Sequence, residues 1–224
     1  MNNLQQVLLL LLGALPYVAV FLYVVIAKKT KDFRFSDLLL GLFGILVSVG
    51  VGAVGGFLII SNYPQTGSTI NDSFLTTVLA VMLVIALAGG ECFRYMVFKK
   101  SKNGEERPAL SGLAFGVGFS MGEFVFFTAM AIMNWGTFLS LDAALMILAD
   151  VVIEIAVSVA AYELIKQENA ASIAVGALYF LSFFMAYVLN NSVVLNIAFK
   201  VIILGISLAL AFALLPKKNT EEVA

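Results

Sequence analysis

The stretch LTTVLAVMLVIALAGGECFRYMVF, residues 75–98, is a nearly continuous apolar run with two charges near its end. About 20 apolar residues in an α-helix cross the hydrocarbon core of a bilayer, so the run predicts a membrane-spanning helix. Its charged residues, Glu91 and Arg94, are three positions apart and therefore share one face of that helix. Charges at such depth are costly in lipid, and we expect both to face the interior of a helical bundle.

Apolar runs of similar length recur along the whole chain. Of its 224 residues, 62% are hydrophobic and only 12% are charged, and the mean hydropathy is +1.03. A soluble domain is about a quarter charged. We therefore predict an all-α, multi-pass integral membrane protein, a seven-transmembrane helical bundle in which residues 1–224 form one domain. The helices are predicted at about 6–27, 37–60, 75–98, 110–133, 141–165, 171–189 and 193–215.

Basic residues alternate between the predicted connections. The second, fourth and sixth connections contain no lysine or arginine, whereas the first, third and fifth connections and the C-terminal tail do. The positive-inside rule then places the N-terminus outside and the C-terminus in the cytoplasm. Two Asn-x-Ser sequons, at Asn71 and Asn190, fall on the outer side. The basic residues in these segments are Lys28, Lys29, Lys31 and Arg34, then Lys99, Lys100, Lys102 and Arg107, then Lys166, and finally Lys217 and Lys218.

The chain contains no histidine. This excludes a histidine general base and every metal site built on imidazole, and we expect neither a metal nor a cofactor. The net charge of −1 comes without a basic patch suited to nucleic acid, so nucleic acid is not an expected partner. The expected partner is membrane lipid.

The fourth predicted helix begins SGLAFGVGFSMGEFVFF, with small residues at regular spacing. Gly112, Gly116 and Ser120 recur every four residues and share one face, while Gly118 and Gly122 lie on another. Small residues at this spacing let two helix backbones approach closely, which favours helix association in lipid. These positions are the predicted helix-packing surface.

Away from the ends of the predicted spans lie four acids and two cations, which form a candidate buried polar cavity: Glu91, Arg94, Glu123, Asp150, Glu154 and Lys200. Arg94 can reach Glu91 one turn away, and Lys200 lies at a depth suited to Asp150. After these pairings Glu123 and Glu154 have no cation. Burial of an unpaired carboxylate is unfavourable, so at least one of the two is expected to be the neutral acid.

These residues carry a resemblance to a known family. Glu91-Cys-Phe-Arg94-Tyr, a lysine-rich loop and Ser-Gly112-Leu-Ala-Phe-Gly116 resemble the Aph (anterior-pharynx-defective) subunit of γ-secretase. The resemblance implies a non-catalytic scaffold subunit of an intramembrane protease complex. Its implied partners are other transmembrane subunits, namely a presenilin-like protease and a single-span glycoprotein. The family's histidines of helices five and six are absent here, with Glu154 at the first position and Phe180 near the second.

A second likeness is to bacterial membrane peptidases of the YhfC type, in the CAAX-protease superfamily. Phe115-Gly-Val-Gly-Phe-Ser-Met-Gly-Glu123 is similar to their Phe-Gly-x-Gly-His-Gly-Gly-x-Glu signature, with Phe119 at the place of the histidine. If the chain were such a peptidase, Glu91, Arg94 and Glu123 would be its catalytic residues. Without histidine, Glu91 lacks partners that position water and stabilise an oxyanion, so an enzyme is not the favoured interpretation.

A third interpretation is a proton- or cation-coupled carrier that uses Glu123, Asp150 and Glu154. Intramembrane carboxylates commonly form proton relays in transporters. Against this, helices four and five contain no proline break of the kind that marks many transporter sites. All three interpretations place the acids in the interior of the bundle.

Overall fold

The computed structural model describes residues 3–61, 72–100, 110–135, 141–188 and 192–214. These residues form seven α-helices and no strand, which confirms the all-α prediction. Each predicted helix end lies within three residues of the observed one, and the sixth helix is the shortest. Asn71, Asn190 and the basic residues Lys102, Arg107, Lys217 and Lys218 lie outside the described part of the chain. The helices are α1 Asn3–Ile26, α2 Phe35–Ser61, α3 Asp72–Lys100, α4 Ser111–Trp135, α5 Leu141–Lys166, α6 Ala171–Val188 and α7 Val193–Leu214.

The bundle presents an apolar exterior. Four helices are long and apolar enough to cross a membrane, over Phe35–Ser61, Thr77–Lys100, Ala144–Lys166 and Val194–Leu214. Large apolar side chains on several helices point outward, among them Phe21, Phe57 and Phe212, each about 70% exposed. Burial of such side chains stabilises a protein in water, so exposure on this scale is typical of a surface solvated by lipid. The chain is therefore a helical membrane protein.

Consecutive helices run in opposite directions, so α1, α3, α5 and α7 end on the same side. On α2 and α3, Gly52 lies against Ala86 and Gly56 against Met82, which is an antiparallel register. On the side where α3 and α5 end and α4 begins, the Phe98 ring of α3 contacts both Phe115 of α4 and Tyr162 of α5. We call this side the basic end, since Lys29, Lys99 and Lys166 of the described residues lie at the corresponding helix ends.

Helix α5 occupies the centre of the bundle. Every side chain from Ile153 to Ile165 is buried, and α5 packs against α1, α4, α6 and α7. A helix that is buried on all sides can hold charge only if neighbouring helices supply partners. The polar interior of the bundle is therefore expected around the acids of α5.

The glycines of α4 let this helix pack tightly on two sides within the chain. A methyl group at Gly116 would lie 2.8 Å from Ser158 Cβ and 2.9 Å from Ile155 Cα, and Gly112 meets the next turn of α5 in the same way. Gly118 and Gly122 instead face α2, where a methyl at Gly122 would lie 2.5 Å from Ile45 Cγ2. Ser120 is fully buried and donates a 2.8 Å hydrogen bond to the Gly116 carbonyl of its own helix. Both small-residue faces of α4 are thus occupied by helices of the same chain.

Two helices end in a left-handed residue that is not glycine. Lys28 follows α1 with φ 53°. The Lys29 N–H donates to the Val24 carbonyl and the Lys28 N–H to the Val25 carbonyl, which is the Schellman pattern of helix termination. Glu168 ends α5 in the same way, with φ 57°. Glycine is the favoured residue at such positions, so a side chain there lowers the stability of the folded state.

Candidate functional site

The candidate site is a network of buried charges centred on Arg94. Its side chain is only 1% exposed, although it lies on α3 about 9 Å from the helix end at 1.5 Å per residue. The guanidinium pairs with Glu154 of α5, which is fully buried, and with Glu91 of its own helix at 3.0 Å. Ser158, one turn beyond Glu154, donates a 3.1 Å hydrogen bond to the same carboxylate. Arg94 therefore joins α3 to the central helix.

Glu91 lies at the edge of the network, on a surface cleft. Its side chain is 22% exposed and borders a cleft of about 560 Å³ between α3, α5 and α6. A methyl group at Gly176 would lie 2.5 Å from Glu91 Oε2, so glycine on α6 is what leaves room for this carboxylate. Cys92, the single cysteine, is exposed and lines the same cleft.

Two aromatic rings cover the Arg94 guanidinium. Its central carbon lies 5.5 Å from the ring centroid of Phe119 on α4 and 5.9 Å from that of Tyr179 on α6. Each is within range of a cation–π interaction, which strengthens when the pair is removed from water. Phe119 reaches Arg94 because α3 and α2 carry glycines beneath it, at Gly90 and Gly44. The cation is thus enclosed by carboxylates and aromatic faces.

Glu123 belongs to the network through the hydroxyl of Tyr179. It is 7% exposed, near the middle of α4, and accepts a hydrogen bond from the Tyr179 hydroxyl. One tyrosine therefore contacts a carboxylate with its hydroxyl and the Arg94 cation with its ring. This links α4 to α6.

A second ion pair lies further from the basic end. Lys200 of α7, 3% exposed, pairs with Asp150 of α5, and the Ser182 hydroxyl of α6 donates to the same carboxylate at 3.4 Å. Asp150 and Glu154 are one turn apart on α5, so both ion pairs are anchored to one face of the central helix. The network spans five helices, α3 to α7.

The structure brings together all six residues predicted for the polar cavity. The predicted pairs Glu91–Arg94 and Asp150–Lys200 are both present. The expectation that Glu154 lacks a cation was wrong, because Arg94 binds the two glutamates at once. A guanidinium carries five N–H donors in a planar fork, which allows this double pairing.

Several contributors were not predicted. Tyr179, Phe119 in its role against Arg94, and Ser182 come from other helices, and nothing in their local sequence marks them as neighbours of the charges. Ser158 is different, since its position four residues after Glu154 placed it on the same helical face. That spacing was a usable signal.

Chemically, the arrangement holds four carboxyl groups and two cations, an excess of two carboxyls. Both glutamates beside Arg94 are bound to it, and the described residues contain no group of three or more potential metal ligands. The site can bind protons and can clamp helices together.

No family model matches the chain, and no curated protein matches it either.

Proposed function

We propose that this protein is a non-catalytic membrane scaffold subunit that resembles the Aph component of an intramembrane protease complex. The observation that carries the proposal is the enclosure of Arg94. Its guanidinium is fully buried between two glutamates and beneath two aromatic rings. A charge held in this way fixes the relative positions of the helices that surround it.

The same arrangement argues against hydrolysis. In the peptidase pattern that the sequence resembles, position 119 is a histidine, and here the Phe119 ring lies on the Arg94 guanidinium instead. Glu154 is bound by Arg94 and Ser158 through one of its two oxygens, and Glu91 is bound by Arg94, so the guanidinium orients both carboxylates. In this proposal an apolar ring stands where the peptidase signature has its histidine.

In this proposal all seven helices cross the membrane, with the N-terminus outside and the C-terminus in the cytoplasm. The antiparallel order of the helices supports it, as does the placement of Lys29, Lys99 and Lys166 at one end. Cysteine substitutions at Lys28 and Ser61, labelled from each side of sealed vesicles after Cys92 is replaced by serine, test the orientation. Labelling of position 61 by a reagent on the cytoplasmic side would show that the protein has the opposite orientation.

The proposed partners are a presenilin-like protease and a single-span glycoprotein. Since Gly112 and Gly116 face α5 of the same chain, a partner helix must dock on an outward face. Gly50 of α2 and Gly205 of α7 are exposed, and a methyl group at either position would meet no atom within 4 Å. Leucine at either one therefore alters the outer surface alone.

The test is purification of the tagged protein from its native membrane in a mild detergent, with mass spectrometry of the proteins that copurify. We expect a multi-pass partner to copurify with the wild-type protein in stoichiometric amount. It should be lost in the variant whose leucine lies on the docking face, which is either Gly50→Leu or Gly205→Leu. The other variant serves as the matched control. A chain that purifies alone and remains folded would refute the scaffold proposal.

A proton- or cation-coupled carrier is the second candidate, and the excess of two buried carboxyl groups favours it. Intramembrane carboxyls without a matched cation are typical of proton-binding sites. Such a carrier predicts a pH-driven flux in liposomes that disappears in Glu123→Gln, while Lys99→Gln leaves it unchanged. Liposomes that show no flux above protein-free controls would eliminate this candidate.

A further inference from the structure

A second cavity, remote from the charge network, lies open to the membrane between α1, α4, α5 and α7. Its volume is about 460 Å³. Apart from Tyr23 and Tyr162, its lining residues are apolar and include Pro16, Ala19, Ala156 and Phe212. We call it the α1–α7 groove. It contains none of the charged residues of the candidate functional site.

The groove has the length of one membrane leaflet. Along α5 its lining runs from Val152 to Tyr162, which is about 15 Å at 1.5 Å per residue. The hydrocarbon core of a bilayer is about 30 Å thick, so the groove covers about half of it. A transmembrane helix seated here would need a groove through both leaflets. A single acyl chain needs only this half.

Two lysines lie beside the two tyrosines of the groove. Lys29 Nζ lies 5.4 Å from the Tyr23 ring centroid and 3.0 Å from the Tyr23 hydroxyl. Lys166 Nζ lies 5.7 Å from the ring centroid of Tyr162. Both tyrosines line the groove, so each ammonium group lies beside a residue of the groove lining, at the basic end of the bundle.

The carboxylate of Glu163 lies 3.8 Å from Lys166 Nζ. That separation is at the outer limit of an ion pair, and Lys166 is half exposed, so the pair is weak. An ammonium group has three N–H donors. Both lysines therefore retain donors for an anion.

We propose that the α1–α7 groove binds one anionic phospholipid, with an acyl chain against the apolar lining and the phosphate between Lys29 and Lys166. The apolar lining, the one-leaflet length and the cations at the polar end together match this molecule. The lipid would fill the space beside α1, which otherwise contacts mainly α5. It would thereby join α1 to α5 and α7.

The experiment is native mass spectrometry of the full-length protein in maltoside micelles, titrated with phosphatidylglycerol or with phosphatidylcholine of the same acyl chains. We expect one phosphatidylglycerol to bind wild type more tightly than phosphatidylcholine. A basic side chain at a membrane surface is worth about fivefold in affinity for anionic lipid, so Lys29→Gln/Lys166→Gln should weaken phosphatidylglycerol binding by about 30-fold. Binding of phosphatidylcholine should not change.

Two further variants separate the parts of the proposal. Lys99→Gln/Lys100→Gln removes two exposed cations at the same end, on α3, and should leave the bound lipid in place. Ala19→Phe, from an exposed position on the groove wall, should displace both lipids. Equal binding of the two lipids to wild type, or equal losses in the two double-lysine variants, would overturn the proposal. So would a copurifying membrane protein that Ala19→Phe releases while the lipid stays bound.

Discussion

Replacing Arg94 by methionine is the most direct test of the buried network. Methionine is unbranched and fills a similar space, but it removes the cation that Glu154 and Glu91 share. Glu154 is fully buried, and breaking a buried ion pair by removing one partner costs about 3–5 kcal/mol because the other charge stays unpaired. The cation–π contacts with Phe119 and Tyr179 are lost as well. We expect Arg94→Met to lower the free energy of unfolding by that amount.

The assay is reversible unfolding in mixed maltoside and dodecyl sulfate micelles, followed by tryptophan fluorescence and circular dichroism. A double-mutant cycle supplies the control, because Arg94→Met/Glu154→Gln leaves no unpaired charge on α5 and should recover part of the loss. Lys99→Gln removes an exposed cation from the same helix and should change stability by less than about 0.5 kcal/mol. A loss below about 1 kcal/mol in Arg94→Met, or no recovery in the double variant, would refute a stabilising role for the network.

Three other substitutions test separate parts of the structure by the same unfolding measurement. Gly116→Leu forces a side chain against Ser158 and the Ile155 backbone and should lower the free energy of unfolding by about 3 kcal/mol or more. Gly50→Leu, at an open position, should lower it by less than about 1 kcal/mol. Similar effects of the two substitutions would contradict the packing of α4 on α5. Tyr179→Phe removes the hydroxyl that donates to Glu123 and should cost about 1–3 kcal/mol; an unchanged stability would show that this bond contributes nothing. Lys28→Gly removes the side chain from a residue with a left-handed backbone conformation and should stabilise the protein by about 0.5–1 kcal/mol. Lys28→Ala keeps a Cβ atom and should not stabilise it. A gain in both variants would show that loss of the lysine charge is the cause.

The helices could be predicted closely because the property that defines them is local. A run such as residues 75–98 is long and apolar, and in a bilayer such a segment has to satisfy its own backbone hydrogen bonds. The end of α3 differs from the predicted end by only two residues, although polar groups near a helix end blur the boundary. Seven membrane crossings and their orientation remain predictions, supported by the order of the helices and the lysines at one end.

The partners of the charged residues could be predicted only where helix geometry or depth restricted the choice. Glu91 and Arg94 are one turn apart, and Asp150 and Lys200 share a depth, so both pairs could be derived. The pairing of Arg94 with Glu154 could not, because it depends on how α3 and α5 are rotated against each other. The same holds for Tyr179, whose contact with Glu123 requires α6 to present one particular face.

The sequence by itself determined that this protein is a set of apolar helices whose few charges deep within the predicted spans must face the interior, since hydropathy and spacing act within one segment. Only the tertiary structure decided which charges meet, and that Gly112 and Gly116 serve α5 of the same chain, because rotation and register between helices arise from packing among many side chains. It also decided that Phe119 and Tyr179 enclose Arg94. The two rings are 60 residues apart in the sequence, and packing places both against one cation.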